Sequence, residues 1–248
     1  MLIDKEAYNS RLSRVSPGLK MLMSLYCIIN CIAADNIVTS LMTLFIMSAV
    51  ICGAGGLKVK RLIHFLKIPL FFTVIGTAAL AVEAGKTDYI ISFWGIGITR
   101  SGAVYALGMF FRCMGSVSAM YFLSLTTPVT AIFTVLRRTP LPGFFVETAE
   151  LVYRYIFVLF DSYKKINVAQ ESRLGYNTLR AKYRSTALIG GAVFIKAMKQ
   201  AQRSFTAMES RGYTGDIKVL AGEYTLQAYH IAAAVIICAL LTVLGVIF

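Results

Sequence analysis

Charged residues are scarce in this sequence of 248 residues: they make up 15% of it, whereas about 25% is usual in a soluble domain. Hydrophobic residues make up 57%. A helix needs about 20 apolar residues to cross a bilayer. The composition therefore excludes an ordinary soluble domain and predicts an all-α polytopic membrane protein with about five transmembrane helices.

The residues that perform chemistry in enzymes are also scarce. The two histidines, His64 and His230, stand alone, and there is no glycine-rich phosphate-binding loop, His-Glu-x-x-His motif or paired-carboxylate motif. The five cysteines all lie in apolar runs: Cys27, Cys31, Cys52, Cys113 and Cys238. We interpret them as small hydrophobic residues of packed helices, with a disulfide or a metal site as the alternative. We expect no catalytic residue, metal or cofactor, so ATP hydrolysis would need another chain.

Acidic residues are few as well, 12 against 25 basic residues, which leaves a net charge of +13. A basic face is typical of nucleic-acid binding, but in an apolar chain the positive-inside rule, which enriches cytoplasmic loops in Lys and Arg, is the better explanation. We expect no nucleic-acid partner. Of the 25 basic residues, 14 lie between Thr126 and Gly222, which predicts that this stretch is cytoplasmic.

Five apolar stretches are the predicted spans: 21–34, 37–57, 68–82, 101–125 and 225–246. The basic segment KVKRLIHFLK (58–67) is predicted to be a cytoplasmic loop, and FWGIGIT (93–99) alternates like a short extended piece. Arg112 interrupts the fourth span; we interpret it as a structural cation bonded to backbone carbonyls, with a role at a partner interface or in motion as the alternative.

The predicted organisation has three parts: N-terminal transmembrane helices (1–125), a cytoplasmic coupling-helix region (126–222) and a C-terminal transmembrane helix (223–248). The first 20 residues have mixed charge and no apolar stretch, so they do not resemble a cleavable signal peptide. We expect the N-terminus to be cytoplasmic.

One polar phrase occurs twice, as AQESRLGY (169–176) and AMESRGY (207–213). Each phrase follows apolar residues at steps of three and four, which predicts an amphipathic helix that ends in the phrase. The two apolar stripes are Tyr155, Leu159, Tyr163, Ile166 and Ala169, and then Phe194, Met198, Ala201, Phe205 and Met208. Gly175 and Gly212 follow closely, and glycine is typical of a helix C-terminus because it adopts the left-handed conformation.

The arginines of the phrase, Arg173 and Arg211, have two interpretations. A basic residue in the last turn of a helix favours the negative end of its dipole, so capping alone is one of them. Capping requires neither the matching residues before each arginine nor the aromatic residues after each glycine, Tyr176 and Tyr213. Two like helix ends that each present a guanidinium with five donors favour docking into two like grooves of a dimeric partner.

Paired helices that end in Ala-x-x-Arg-Gly resemble the transmembrane T component of energy-coupling factor (ECF) transporters, and the first phrase departs from this pattern by having Leu174 before its glycine. Five other stretches resemble the cobalt and nickel branch of that family, the CbiQ-type proteins: IDKEAYNSRLSRVSPGLK (3–20), FWGIGITRSG (93–102), LTTP (125–128), LRRTPLP (136–142) and ELVYRYIFVLF (150–160).

The resemblance implies a scaffold in the cell membrane of a prokaryote, with two long amphipathic coupling helices that cross in the cytoplasm. Its implied partners are two ATP-binding-cassette ATPase subunits and a separate substrate-binding membrane subunit, for cobalt or nickel uptake. The implied ATPase-docking residues are Ala169, Ser172, Arg173, Gly175, Ala207, Ser210, Arg211 and Gly212.

Two other classes of protein are alternatives. Another membrane transporter or adaptor is the first, although a substrate path predicts more polar residues within the spans than Arg112. An intramembrane enzyme is the second, although it requires catalytic groups close together.

Overall fold

The computed structural model describes residues 2–34, 36–84, 89–93, 96–215 and 224–247. The helices in these ranges are α1 Leu2–Asn9, α2 Pro17–Ala33, α3 Ile37–Gly53, α4 Val59–Ala81, α5 Arg100–Thr126, α6 Val129–Leu136, α7 Gly143–Ser172, α8 Leu179–Glu209 and α9 Ala228–Ile247. A 3₁₀ turn, Arg11–Arg14, follows α1. The predicted helical class is confirmed: the chain is an all-α polytopic membrane protein.

Five of these helices are apolar and at least 17 residues long, in agreement with the predicted number of spans. By length and composition, three segments are suited to cross a membrane: Val59–Leu80, Gly102–Thr126 and Ala228–Gly245. The other two apolar helices, α2 and α3, have 17 residues each. A helix of that length is at the short end of the range for a bilayer crossing.

The loop predicted at KVKRLIHFLK is wrong, because α4 begins at Val59 and includes nearly all of that segment. Leu62, Phe65 and Leu66 recur at helical spacing inside it and pack in the hydrophobic core, with Leu62 buried. The basic residues lie between these positions. Apolar periodicity therefore decides the local structure, and the charge run occupies the exposed side of the helix.

A small antiparallel sheet lies between α4 and α5 in the sequence. Its strands are β1 Val82–Ala84, β2 Tyr89–Phe93 and β3 Ile96–Thr99, in the order β1-β3-β2. Phe93 and Ile96–Thr99 of the alternating segment FWGIGIT therefore lie in strands, as predicted, whereas residues 94–95 of it lie outside the described residues.

The described residues up to Val135 and from Tyr224 onward form one compact unit. Helix α5 is its centre and packs against α2, α3 and α4, while α9 packs against α2 and α3. Small residues allow this close packing: the Ser24 hydroxyl donates to the Ala119 carbonyl at 2.8 Å, and a Cβ at Gly115 would lie 2.8 Å from the Ser40 carbonyl oxygen. Small residues at helix contacts are typical of membrane proteins, where dispersion contacts and hydrogen bonds drive helix association.

Lys20 ties the start of α2 to the end of α5. Its ammonium group is buried and donates to the carbonyl oxygens of Leu12 and Thr126, both at 2.9 Å. The last carbonyls of a helix lack intrahelical donors and carry the negative end of the dipole, so a cation there is favourable. This bond joins the SPGLK and LTTP segments.

We predict that Gly115→Ala lowers the thermal stability of the purified chain in detergent, because the added Cβ meets the Ser40 backbone and forces α3 away from α5. Such overpacking costs about 1 to 3 kcal/mol. Gly108→Ala in the same helix is the matched control, since its Cβ would meet only Ile37, at 3.9 Å. A melting temperature of Gly115→Ala equal to that of Gly108→Ala would contradict the close contact between α3 and α5.

Candidate docking site

The described residues from Leu136 to Gly215 form a second compact unit, built mainly on the long helices α7 and α8. Three hydrogen bonds join residues of this unit that are distant in sequence: Gly175 to Ser185, Tyr155 to Ser204, and Glu147 to Tyr213. From one bond to the next, the residue number falls from 175 to 147 on the α7 side and rises from 185 to 213 on the α8 side. Helices α7 and α8 therefore run antiparallel.

An apolar groove of about 660 Å³ lies between the two helices. It is lined by residues of both predicted stripes: Tyr155 and Leu159 of the first, and Ala201, Phe205 and Met208 of the second. The amphipathic pattern thus predicted the facing sides of α7 and α8 over this part of their length. Other stripe residues remain exposed, among them Tyr163, Phe194 and Met198.

Helix α7 ends in a Schellman motif, in which the last carbonyls accept from the backbone N–H groups beyond the helix. Gly175 N–H donates to the Gln170 carbonyl at 2.9 Å, and Leu174 N–H donates to the Glu171 carbonyl at 3.0 Å. Leu174 has a φ of 56° and therefore occupies the left-handed position of the motif. Arg173 precedes it and is the C-cap.

Helix α8 ends in the same way. Tyr213 N–H donates to the Met208 carbonyl at 3.1 Å, and Gly212 N–H donates to the Glu209 carbonyl at 3.0 Å. Gly212, with a φ of 74°, occupies the left-handed position. Arg211 therefore stands in this turn where Arg173 stands in the first, so the repeated phrase builds the same helix end twice.

The expectation that Gly175 takes the left-handed conformation is wrong, because Leu174 takes it. A residue with a Cβ pays about 1 to 2 kcal/mol for that conformation, so another contact must hold the turn. Gly175 supplies it: the Ser185 hydroxyl donates to its carbonyl at 2.8 Å. A Cβ on Gly175 would lie 2.5 Å from the Ser185 Oγ. Glycine is thus required there for its small size.

The serines and alanines of the two phrases have matching surroundings. Ser172 donates to the Val168 carbonyl at 3.0 Å, and Ser210 donates to the Thr206 carbonyl at 2.7 Å, in both cases four residues back. Ala169 and Ala207 are exposed. Each helix end therefore offers a small residue one turn before its arginine, where a partner can approach closely.

The two tyrosines have different partners. Tyr176 donates to the Asn167 side-chain oxygen on α7, and Tyr213 donates to Glu147 near the start of α7. Partial burial raises the pKa of the Tyr176 hydroxyl, and Tyr163 and Glu171 raise it further. The phenol therefore keeps its proton and remains a donor at neutral pH.

Arg173 and Arg211 are exposed, and within the described ranges neither guanidinium makes a hydrogen bond or an ion pair. They lie at opposite ends of the helix pair, since Arg173 precedes α8 and Arg211 follows it. Helix α8 has 31 residues, and at 1.5 Å per residue its ends are about 45 Å apart. The site therefore consists of two equivalent cationic ends held apart by one helix pair.

Two hydrogen bonds of this site were not predicted from the sequence: the one from Ser185 to the Gly175 carbonyl and the one from Tyr213 to Glu147. Ser185 carries no signal that distinguishes it from other helical serines. Glu147 is an acid in an apolar stretch, and in the structure it is buried, so its isolation was a usable signal. Among the residues that the structure describes, no group of three or more His, Cys, Asp or Glu residues is arranged to hold a metal.

Comparisons with known proteins show which family the chain is similar to. The family described as Cobalt transport protein, CbiQ, matches residues 8–220. The chain is similar to the cobalt transport protein CbiQ of Salmonella typhimurium, with 27% identity over 86% of this chain and 97% of that protein. It is also similar to the energy-coupling factor transporter transmembrane protein EcfT of Lactococcus lactis, with 26% identity over 84% of this chain and 82% of that protein.

A third relative is a longer protein of Methanocorpusculum labreanum that carries the provisional name of a fused cobalt transport protein, CbiMQ. It is 32% identical, and the match covers 86% of this chain but 37% of that protein. The segment similar to this chain is thus one part of that longer protein.

We predict that Gly175→Ala loosens the turn between α7 and α8, because the new methyl group cannot coexist with the bond from Ser185 to the Gly175 carbonyl. Loss of a hydrogen bond and local overpacking together cost about 2 kcal/mol. Amide hydrogen exchange at residues 174–178 should therefore rise by roughly 30-fold. Gly191→Ala is the control, since a Cβ there meets nothing within 4 Å. Equal exchange at residues 174–178 in both variants would contradict a stabilising bond between Ser185 and Gly175.

Proposed function

Because the chain belongs to the CbiQ family of cobalt transport proteins, we propose that it is the coupling scaffold of an ECF-type importer. Its named relatives are membrane components of transporters rather than catalytic subunits. In the proposed complex, two ATPase subunits bind this chain, and it transmits their ATP-driven motion to a separate substrate-binding membrane subunit. One observation carries the proposal: Arg173 and Arg211 occupy equivalent positions in the closing turns of two helices, and both are exposed.

The docking proposal follows from the donors that each arginine leaves unused. A guanidinium has five donors in a planar fork and binds a carboxylate in bidentate fashion, so it suits a groove that ends in an acid or in backbone carbonyls. Two such ends with the same local fold suit two copies of one groove. An ATPase dimer with one groove in each subunit has this property.

The separation of the two ends suits a role in coupling. When two ATPase subunits close on ATP, grooves fixed on them approach each other, and ends seated in those grooves move with them. The contacts between α7 and α8 resist this motion at both ends of the pair, at Ser185 and at Tyr213. The helix pair then shifts as a body or rotates, and either motion displaces a membrane subunit that rests on it.

ATP hydrolysis belongs to the partner subunits in this proposal, because the chain has no phosphate-binding loop. Cobalt is the proposed substrate, with nickel as the alternative within the same branch, and the names of two relatives support cobalt. The fused relative supports a membrane partner, since additional protein is joined there to the segment that this chain resembles.

The proposed location is the cell membrane of a prokaryote, with the N-terminus and residues 126–222 in the cytoplasm and residues 1–125 and 223–248 forming the membrane helices. The excess of Lys and Arg between Thr126 and Gly222 supports this orientation. It also places Arg173 and Arg211 on the side where ATP is available.

We predict that Arg173→Ala and Arg211→Ala each weaken binding of the ATPase subunits by roughly 30-fold or more. Removing one partner of a desolvated charge pair costs about 2 to 5 kcal/mol of binding free energy. Each step of about 1.4 kcal/mol corresponds to a tenfold change in affinity. Single variants should keep part of their ATPase, and the double variant should lose it. The measurement is co-purification of ATPase subunits from cells that express the whole transporter.

Arg180→Ala is the matched control, because Arg180 is an exposed arginine at the start of α8 and lies outside both phrases. If the arginines acted only as caps, each variant would be destabilised by about 0.3 to 1 kcal/mol. It would still co-purify with the ATPase subunits at the wild-type level. A double variant that retains its ATPases at the wild-type level would therefore exclude docking through Arg173 and Arg211.

We predict that a cysteine at Lys164 is protected in intact cells from a thiol reagent that does not cross membranes, whereas a cysteine at Asn36 reacts. The reason is that Asn36 lies between the first two apolar helices, on the side opposite the basic region. Both variants are made in a background without the five native cysteines, and permeabilised cells provide the control for reactivity. Labelling at position 164 in intact cells would reverse the orientation.

A further inference from the structure

A cavity of about 430 Å³ lies beside the first turns of α4, in the compact unit that contains the apolar helices. One part of its wall carries the cations Lys60, Arg61 and Lys67, with His64 beside them. The other part is apolar and includes Ile63 and Phe65. Among the described residues, Glu6 of α1 is the one acid that lines the cavity.

The charges in this cavity are not balanced. Glu6 forms an ion pair with Arg61. Lys60, His64 and Lys67 make no hydrogen bond or ion pair with any part of the chain that the structure describes. These three residues follow one another at steps of four and three, so they share one face of the helix.

The helix itself adds positive potential. The N-terminus of α4 has no acid in its first turn, although acids are favoured there and cations are not, because the N-terminal end of a helix dipole is positive. Lys60 lies in this first turn, where a cation is unfavourable unless an anion accompanies it. The arrangement predicts a bound anion.

The surface next to the cavity is strongly apolar. Ile68, Phe71 and Phe72 follow on α4 and are 78%, 69% and 78% exposed. They belong to the candidate span Val59–Leu80, and exposed apolar side chains of a membrane span are suited to contact with lipid. A cluster of cations at the end of a lipid-facing surface lies at the depth of the phospholipid headgroups.

We propose that this cavity binds the phosphate group of an anionic phospholipid, with Lys60 and Lys67 on the phosphate and with Ile63 and Ile68 beside the acyl chains. Lysine is a point charge with a flexible stem, which suits a monoanionic phosphodiester. A soluble phosphate would satisfy the cations but would leave the apolar wall unused. The proposal is independent of the docking of ATPase subunits.

The test compares phospholipids and variants in the full-length chain, purified in a neutral detergent. Phosphatidylglycerol should raise the thermal stability and should bind about 30-fold more weakly to Lys60→Gln/Lys67→Gln, since each lysine near an anionic headgroup contributes roughly a five-fold effect. Phosphatidylcholine and inorganic phosphate should have no effect. Lys196→Gln/Lys199→Gln is the control, with the same loss of charge from exposed positions on α8.

Native mass spectrometry of the wild-type chain provides a second measurement that does not depend on the folding of a variant. In an equal mixture of the two phospholipids, the chain should retain phosphatidylglycerol in preference to phosphatidylcholine. Equal retention would overturn the proposal, as would an undiminished response of Lys60→Gln/Lys67→Gln. A stabilisation by inorganic phosphate as large as that by phosphatidylglycerol would assign the site to a free anion instead of a lipid.

Discussion

The antiparallel pairing of α7 with α8 is the constraint on which the candidate site depends. It is held at one end by the bond between Ser185 and Gly175 and at the other by the bond between Tyr213 and Glu147. Neither Arg173 nor Arg211 contributes to these bonds. Their guanidinium groups are thus available to a partner, while the separation of the two arginines is determined by the length of α8.

The two copies of the repeated phrase share their backbone geometry as well as their sequence. Each copy closes a helix with a Schellman motif in which the arginine directly precedes the left-handed residue, and that residue is Leu174 in one copy and Gly212 in the other. Leu174 is 71% exposed, so the two ends differ by one apolar side chain. We infer that the two grooves receive the same guanidinium with slightly different surroundings.

The membrane helices could be predicted from the length of their apolar runs and the amphipathic stripes from periodicity, and both signals are local. The start of α4 differs from the prediction because the helical spacing of Leu62 and Leu66, and not the run of basic residues, determines the local structure. The role of Gly175 could not be predicted, since it depends on Ser185, which reaches it only after the chain has turned. The phrase itself, by contrast, indicated the two helix ends, because each one is built from consecutive residues.

The central claim is that both helix ends bind ATPase subunits at the same time. Photo-crosslinking amino acids test it directly in the assembled transporter at two exposed positions: 174, which follows Arg173, and 214, three residues after Arg211. The account predicts that each position crosslinks to an ATPase subunit, and that a chain carrying both labels yields a species with two ATPase subunits attached. Crosslinks from only one position, or to the substrate-binding subunit alone, would contradict it.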